Sequence, residues 1–305
     1  MPSHFSIIIL THNEEKNLPG LLDSLQDLTA PMFVVDSYSS DGTLRILESR
    51  EIPYTQHTFE NYSKQRNWAQ AALPFDTPWV LHFDAGERCT PELVHWLTHE
   101  FDPNTATDGY MFSRRTLFLG QWIKHGGHYP NYHLRLFRRH RGRCEAKAYD
   151  QHFVCDGPTK HLPAGIDIID TVADSLSDFT RAHTHWALFE AIETLAHKRE
   201  QGEVSARFFG TPIERQRWLK TRLFQRSPLF LRSFLYFHYR YFIRLGFLDG
   251  TMGLVFHFLQ GFWFRFLVDA NVAELRWRMR KTGKSLEEVV RESYGDKYLK
   301  ALPKN

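Results

Sequence analysis

The stretch Phe5-Ser6-Ile7-Ile8-Ile9-Leu10-Thr11-His12-Asn13-Glu14-Glu15 decides the fold. Three consecutive isoleucines sit inside an apolar run that gives way, at Thr11, to polar residues. A short β-branched run bounded in this way is the pattern of a strand buried on both faces of a sheet. Two further runs end alike. Met32–Val35 leads into Asp36-Ser37-Tyr38-Ser39-Ser40-Asp41-Gly42-Thr43, and Trp79–Phe83 leads into Asp84-Ala85-Gly86-Glu87. Three strands that deliver acids at their carboxyl ends predict one shared crevice, because open α/β sheets bind ligands at that edge.

Working outward, Leu18, Leu21, Leu22, Leu25 and Leu28 fall at helical spacing after Asn13, which predicts a helix capped by that asparagine. Thr90-Pro91-Glu92 reads as an N-cap, a proline at the first helical position and an acid in the first turn. Strand–helix alternation over the first hundred residues predicts a mostly parallel sheet with helices on both faces. From 108 to about 160 the segments become extended, basic and glycine-punctuated, as in Tyr132–Phe137 and Tyr149–Cys155; from about 175 helical patterns dominate.

The chain has 305 residues and a net charge of +3, enough length for a full α/β core and too little charge for a field that draws in nucleic acid. Its three cysteines are an odd number without metal-like spacing, which fits a reducing compartment. The start, Met1-Pro2-Ser3-His4, lacks the charged region of a secretory signal, so a cytoplasmic origin is expected.

Residues 222–268 stand apart, with 15 of the 45 aromatics, six arginines, no lysine and the single acid Asp249. Aromatics interleaved with arginine suit a helix lying in a membrane interface, and the charges argue against a simple span. A helical core or a dimer seam is the alternative.

Among the polar residues, Asp84 at a strand tip can hold a divalent cation or simply form an acidic turn. Oxygen ligation favours Mg2+ or Mn2+ over zinc. Asp36, at the tip of the second run, can accept from a base or a ribose hydroxyl. Glu60–Trp68 places Lys64, Arg66 and Asn67 on a helix, with Arg66 able to point back at a base or diphosphate and Lys64 solvated. The run Arg135–Arg143 is either a solvated basic edge or a diphosphate cradle.

Taken together, Ile7–Glu15, Val34–Thr43, Lys64–Asn67 and Asp84–Glu87 resemble the inverting family-2 glycosyltransferases of GT-A fold. Phe118–Ile123 and Arg135–Arg139 extend the likeness to bacterial lipopolysaccharide-core and exopolysaccharide glycosyltransferases. The resemblance implies a GT-A nucleotide-diphospho-sugar transferase fold with a helical, aromatic-rich extension. It divides the chain into a nucleotide-sugar half at 1–105, an acceptor half at 106–180 and the extension at 181–305. It would put Thr11, Glu14 and Asp36 around the base and ribose, Arg66 close by, and Asp84 at the diphosphate and its Mg2+ or Mn2+. The family shows Asp-x-Asp where this chain has Asp84-Ala85-Gly86, so either Glu87 replaces the missing ligand or water completes the shell. Asp150 in Tyr149-Asp150-Gln151-His152 is the expected base, with Glu145 second and His152 orienting the base or meeting the acceptor.

The activity so implied is transfer of one hexose from a UDP-linked donor to a glycan or polyprenyl-diphosphate-linked acceptor in bacterial cell-surface polysaccharide or lipopolysaccharide synthesis. It would take place at the anionic inner face of the cell membrane, without nucleic acid. No Gly-x-Gly-x-x-Gly follows the first run, which argues against a dinucleotide oxidoreductase. A non-catalytic membrane- or RNA-binding module built on the aromatic–arginine segment is the rival, and it leaves Asp36, Arg66 and Asp84 unexplained.

Overall fold

The computed structural model describes residues 3–146, 151–196, 209 and 227–301. Its strands are β1 (Phe5–Thr11), β2 (Met32–Asp36), β3 (Tyr54–Gln56), β4 (Trp79–Asp84), β5 (Glu87–Cys89) and β6 (Gly109–Phe118). There follow β7 (Gln121–Ile123), β8 (Tyr132–Arg138), β9 (Gly142–Cys144), β10 (Phe153–Cys155), β11 (Thr159–His161) and β12 (Asp167–Ala173). The chain forms two compact units, one of Met1–Leu117 with Tyr129–Thr171, the other of Phe118–His128 with Val172–Asn305.

In the first unit the main sheet runs β3-β2-β1-β4-β8-β6-β12-β5. β3, β2, β1 and β4 are parallel, whereas β8 is antiparallel to both β4 and β6. The parallel character is therefore confined to the amino-terminal part, and the later strands make the sheet mixed. Residues on both sides of position 105 share this sheet. Ile7, Ile9, Val34, Leu81 and Phe83 are buried in its core with Leu18, Leu21, Leu22 and Trp79. Register brings Thr11 level with Asp36, and Leu10 level with Asp84, so the three tips predicted from sequence lie side by side.

The connecting helices are α1 (Leu18–Ser24), α2 (Thr43–Ser49), α3 (Tyr62–Ala71) and α4 (Pro91–His95). Thr90 caps α4 as expected, its hydroxyl accepting from Leu93 N at 3.2 Å. Asn13 does not cap α1. The helix starts at Leu18, after Asn17, and Asn13 instead adopts a left-handed turn with φ 57°. The leucine spacing is still satisfied by burial, since Leu25 and Leu28 pack into the core beyond the helix end.

The second unit holds α5 (Leu176–Leu195), α6 (Leu231–His238), α7 (Gly250–His257), α8 (Phe264–Thr282) and α9 (Leu286–Tyr294). Ala187, Ala191 and Ile192 of α5 pack on Val268, Val272 and Leu275 of α8, with Val289 and Val290 of α9. Polar braces cross these helices. Asp269, fully buried, takes Arg232 Nε at 2.9 Å and Phe230 N at 2.7 Å. Arg240 Nε donates to Gly126 O at 2.7 Å, and Arg265 pairs with Glu190 at 2.8 Å. Asp249 receives His125 N at 2.9 Å and lies 2.7 Å from His125 Nδ1. His257 fills the space beside Gly126, where φ is +67° and a Cβ would fall 2.0 Å from the imidazole. Only glycine fits that position. Burial, reinforced by Arg240, pushes the His257 pKa down to about 4.

The arginines of 222–268 thus act differently from the expectation. Arg222 and Arg226 lie outside the described residues. Arg232 and Arg240 are buried and Arg265 is paired, while Arg244 is exposed. The outward surface is instead apolar, with Leu231, Phe234, Leu235, Phe242 and Leu248 exposed and Ile243 71% exposed. The helical run Gly246–Thr282, 37 residues, is long and apolar enough to cross a membrane by length and composition, although the charge pattern argued against a span.

Candidate active site

The loops after β1 and β2 interlock through their own side chains. Asn13 N donates to Ser39 Oγ at 2.8 Å, and Ser40 N returns to Asn13 Oδ1 at 2.8 Å. Glu14 N donates to Thr43 Oγ1 at 2.8 Å, and Gly42 N to Glu15 Oε2 at 2.7 Å. Asp41 takes part as well, its Oδ2 accepting from Glu15 N at 3.2 Å, so these side chains fix one crevice wall to the other. Tyr38 is held in the left-handed region at φ 58° with its ring exposed, a conformation that a bulky residue seldom adopts outside constrained sites.

Asp36 and Thr11 form one buried group. Thr11 Oγ1 donates to Asp36 Oδ1 at 3.0 Å, while Ser39 N and Gln56 Nε2 donate to Oδ2 at 2.8 and 3.2 Å. Asp36 has no exposed surface, so a base or ribose reaching its carboxylate would have to displace Ser39 or Gln56. Glu14 is half-buried and accepts from Asn17 Nδ2 at 2.8 Å. Burial, then Asp41 and Asp84, raises its pKa, against the pull of Asn17.

Helix α3 carries Arg66 to the tip of β4. Asn61 caps the helix, accepting from Lys64 N at 2.9 Å. Its buried face is tied to the strand pair β9–β10: Asn67 exchanges two hydrogen bonds with the backbone of Cys144, at 2.8 and 2.9 Å, and Ser63 Oγ donates to Glu145 O at 2.7 Å. Lys64 faces solvent and pairs with Glu60, as expected of a solvated lysine. Arg66 lies between the rings of Tyr62 and Phe153, 5.5 and 5.1 Å from their centroids.

There Asp84 meets two guanidiniums. Arg66 Nη2 reaches both carboxylate oxygens, at 2.9 and 3.0 Å, and Arg135 Nη2 reaches Oδ2 at 3.1 Å. Burial opposes the charged form, yet Arg66 and Arg135 together hold the Asp84 pKa well below the usual carboxylate range. The side chain remains 38% exposed, so the carboxylate keeps a face toward solvent. Arg135 is the site residue that sequence reasoning left undistinguished within a basic run. Its neighbours there serve the fold: Arg138 pairs with Asp108 at 2.9 Å, Arg143 pairs with Asp156 at 2.8 Å, and Arg139 bonds the carbonyls of Phe75, Gln70 and Leu73. Within β8 alternation puts Arg135 and Arg138 on opposite faces, and their side chains are 6% and 30% exposed, but the same period does not separate Arg135 from Arg139, Arg141 and Arg143.

Glu87 does not fit the ligand role expected of it. Its side chain is 2% exposed, Oε1 lies 2.5 Å from Arg135 Nη2, and Oε2 accepts from Asp84 N at 2.9 Å. Burial, then Asp84 and Asp170, pushes its pKa up to about 7 against the pull of Arg135. No group of three or more histidine, cysteine, aspartate or glutamate side chains able to hold a metal exists among the described residues. The donor set does not fit a cation held by two carboxylates, because Asp84 keeps a face toward solvent while Glu87 is buried against Arg135.

Asp150, the expected base, lies outside the described residues. Glu145 is fully buried, and its Oε1 accepts from His152 N at 3.0 Å and contacts His152 Nδ1 at 3.1 Å. That pairing closes the end of the β9–β10 ribbon and leaves Glu145 without access to an acceptor.

The motifs that build this crevice fall inside a segment, residues 6–157, that matches the family described as Glycosyl transferase family 2. The chain belongs to that family. A curated relative of this family-2 chain, an uncharacterized glycosyltransferase of Rickettsia typhi, is 31% identical over 96 residues, which is 32% of each protein. The chain therefore spans about a third of the curated relatives it matches. Among solved structures, S. aureus TarS 1-349 in complex with UDP shares 15% identity over 93% of this chain and 92% of that one, with a TM-score of 0.43. Glucosyl-3-phosphoglycerate synthase from Mycobacterium tuberculosis, in complex with Mn2+, UDP and glucosyl-3-phosphoglycerate, shares 16% over 38% of this chain and 44% of that one, at 0.31. At these scores neither structure assigns a residue role here.

Proposed function

We propose that the protein transfers one sugar, with inversion, from a nucleotide-diphosphate donor to a glycan or lipid-linked acceptor at a membrane surface. The arrangement of Asp84 between Arg66 and Arg135, at the carboxyl end of parallel strands, carries this reading. Two fixed cations and one solvent-facing carboxylate at a sheet's switch edge suit a diphosphate flanked by hydroxyls. UDP-linked hexose is the donor class to test first, and Tyr38 offers a ring on which a base can stack. Cell-surface polysaccharide or lipopolysaccharide synthesis is the setting in which lipid-linked acceptors of this class occur.

In an inverting transfer the acceptor hydroxyl attacks the anomeric carbon opposite the departing diphosphate, and a carboxylate takes its proton. We assign that base to Asp150, since buried Glu145 is committed to His152. A screen of nucleotide sugars against membrane lipid extract, read by mass spectrometry, tests the reading. A new glycolipid with one added sugar is expected, and Asp150→Asn should lower turnover about 100- to 10,000-fold at unchanged donor affinity. Failure of every donor to protect the protein from heat would return the chain to the non-catalytic alternative.

The exposed apolar face of 230–266 supports peripheral seating on the inner face of the cell membrane. Because most described arginines there are turned inward, the adhesion expected is chiefly apolar insertion rather than headgroup attraction.

A further inference from the structure

Resting on the nucleotide-sugar reading, we infer that Arg66 and Arg135 neutralise the leaving diphosphate in place of a divalent cation, and that Asp84 is the positioning residue that holds both guanidiniums ready. Four observations converge. Position 86, where a second acid would complete a cation site, is glycine, and a Cβ built there meets nothing within 4 Å. Glu87 is turned inward onto Arg135 and the backbone of Asp84. Asp84 already has both oxygens on cationic nitrogens. Finally, Arg135 is 6% exposed, and its second terminal nitrogen, Nη1, is buried with no hydrogen-bond partner among the described residues.

A buried guanidinium nitrogen without an acceptor is costly, so that donor is satisfied best when an anion enters beside Asp84. The transfer places charge there. The bond from the anomeric carbon to the diphosphate oxygen breaks, its electron pair stays with the nucleoside diphosphate, and the acceptor oxygen forms the new bond while its proton passes to the base. Guanidiniums suit the growing charge because their paired donors match phosphate oxygens and do not titrate near neutrality. Asp84 holds both guanidiniums at one point without the donor and can release them when phosphate oxygens arrive.

Calorimetric titration of the full chain with UDP separates the possibilities. Affinity in excess EDTA and in excess Mg2+ or Mn2+ should agree within about twofold, and Arg66→Gln should weaken UDP by about 10- to 100-fold equally in both. The open space at position 86 supplies a converse variant. Gly86→Asp should fold normally and gain at least about tenfold in UDP affinity when Mn2+ is added. Wild-type binding that improves about tenfold or more with metal, or an Arg66→Gln defect confined to metal-containing buffer, overturns the proposal. Should Arg66→Gln fail to fold, the wild-type metal comparison and Gly86→Asp decide it. Absence of UDP binding in every buffer would instead sink the nucleotide-sugar reading on which the proposal stands.

Discussion

Both units bury charge, and they use it for opposite ends. In the first, Arg66 and Arg135 converge on the Asp84 carboxylate, which still faces solvent, while Glu87 holds Arg135 from the buried side. In the second, Arg232 with Asp269 and Arg265 with Glu190 brace helices against one another, Asp249 holds the segment after β7 through His125, and apolar side chains face outward. An ion pair built for the fold is closed, with each charge answered within the unit. The cluster built for a ligand is open, with a carboxylate face exposed and one arginine nitrogen unsatisfied. What separates these clusters is the solvent-facing carboxylate together with the unsatisfied nitrogen of its partner Arg135.

That contrast can be broken by removing the acid from each. Asp269→Ala strands Arg232, Ser233 and the Phe230 amide in the helical core and should cost about 3–5 kcal/mol in chemical denaturation. Asp84→Ala should slow transfer about 100- to 1,000-fold, the range for losing one organised electrostatic element. Its stability loss should be smaller than that of Asp269→Ala, since Arg135 keeps Glu87 and Arg66 keeps its aromatic neighbours. A large unfolding defect in Asp84→Ala with normal turnover of the folded fraction would mean that its cluster, too, is only a brace.

The buried histidine of the second unit gives a pH test. The His257 pKa falls from 6.5 to about 4 in the folded protein, so the unfolded chain binds the extra proton between those values. Stability is complete above pH 6.5 and declines as pH falls toward 4, by about 3 kcal/mol for this group. Proton uptake on unfolding at pH 5, measured by calorimetry in buffers of different ionisation enthalpy, should be about one lower in His257→Leu. An unchanged uptake would show that the imidazole is already charged in the fold.

The smallest effect sharpens the surface of the second unit. Arg244 is the exposed arginine among the described residues 227–268, so Arg244→Ala should cost about 1 kcal/mol of binding to anionic vesicles. Ile243→Asp should reduce flotation more and in neutral vesicles as well, since it places charge on an apolar contact. Strong salt sensitivity with no effect of Ile243→Asp would restore a headgroup-driven attachment.

Much of this was legible along the chain. Each strand tip carries its own polar signature, α3 presents Arg66 where the motif order implies, and Thr90-Pro91-Glu92 announces its helix. Pairings were not legible. Arg135 is 51 residues from Asp84 and sits in a run where other arginines have ordinary structural partners. Asp36 looked like a ligand from its place at a tip, but Thr11, Ser39 and Gln56 surround it. The same limit applies to 222–268, whose composition suggested a cationic membrane face until Asp269 and Gly126 were seen to claim two of its arginines.

By itself the sequence determined which segments become strands, where their polar ends fall and that helices follow, because local periodicity and turn chemistry act over a few residues. Only the tertiary structure decided which charges meet. Glu87 and Asp84 are three residues apart and alike in chemistry, yet β5 turns one inward to Arg135 while β4 leaves the other facing the crevice. Ionic contacts depend on strand order and on which neighbour each side chain faces, and those are set by how the whole sheet packs.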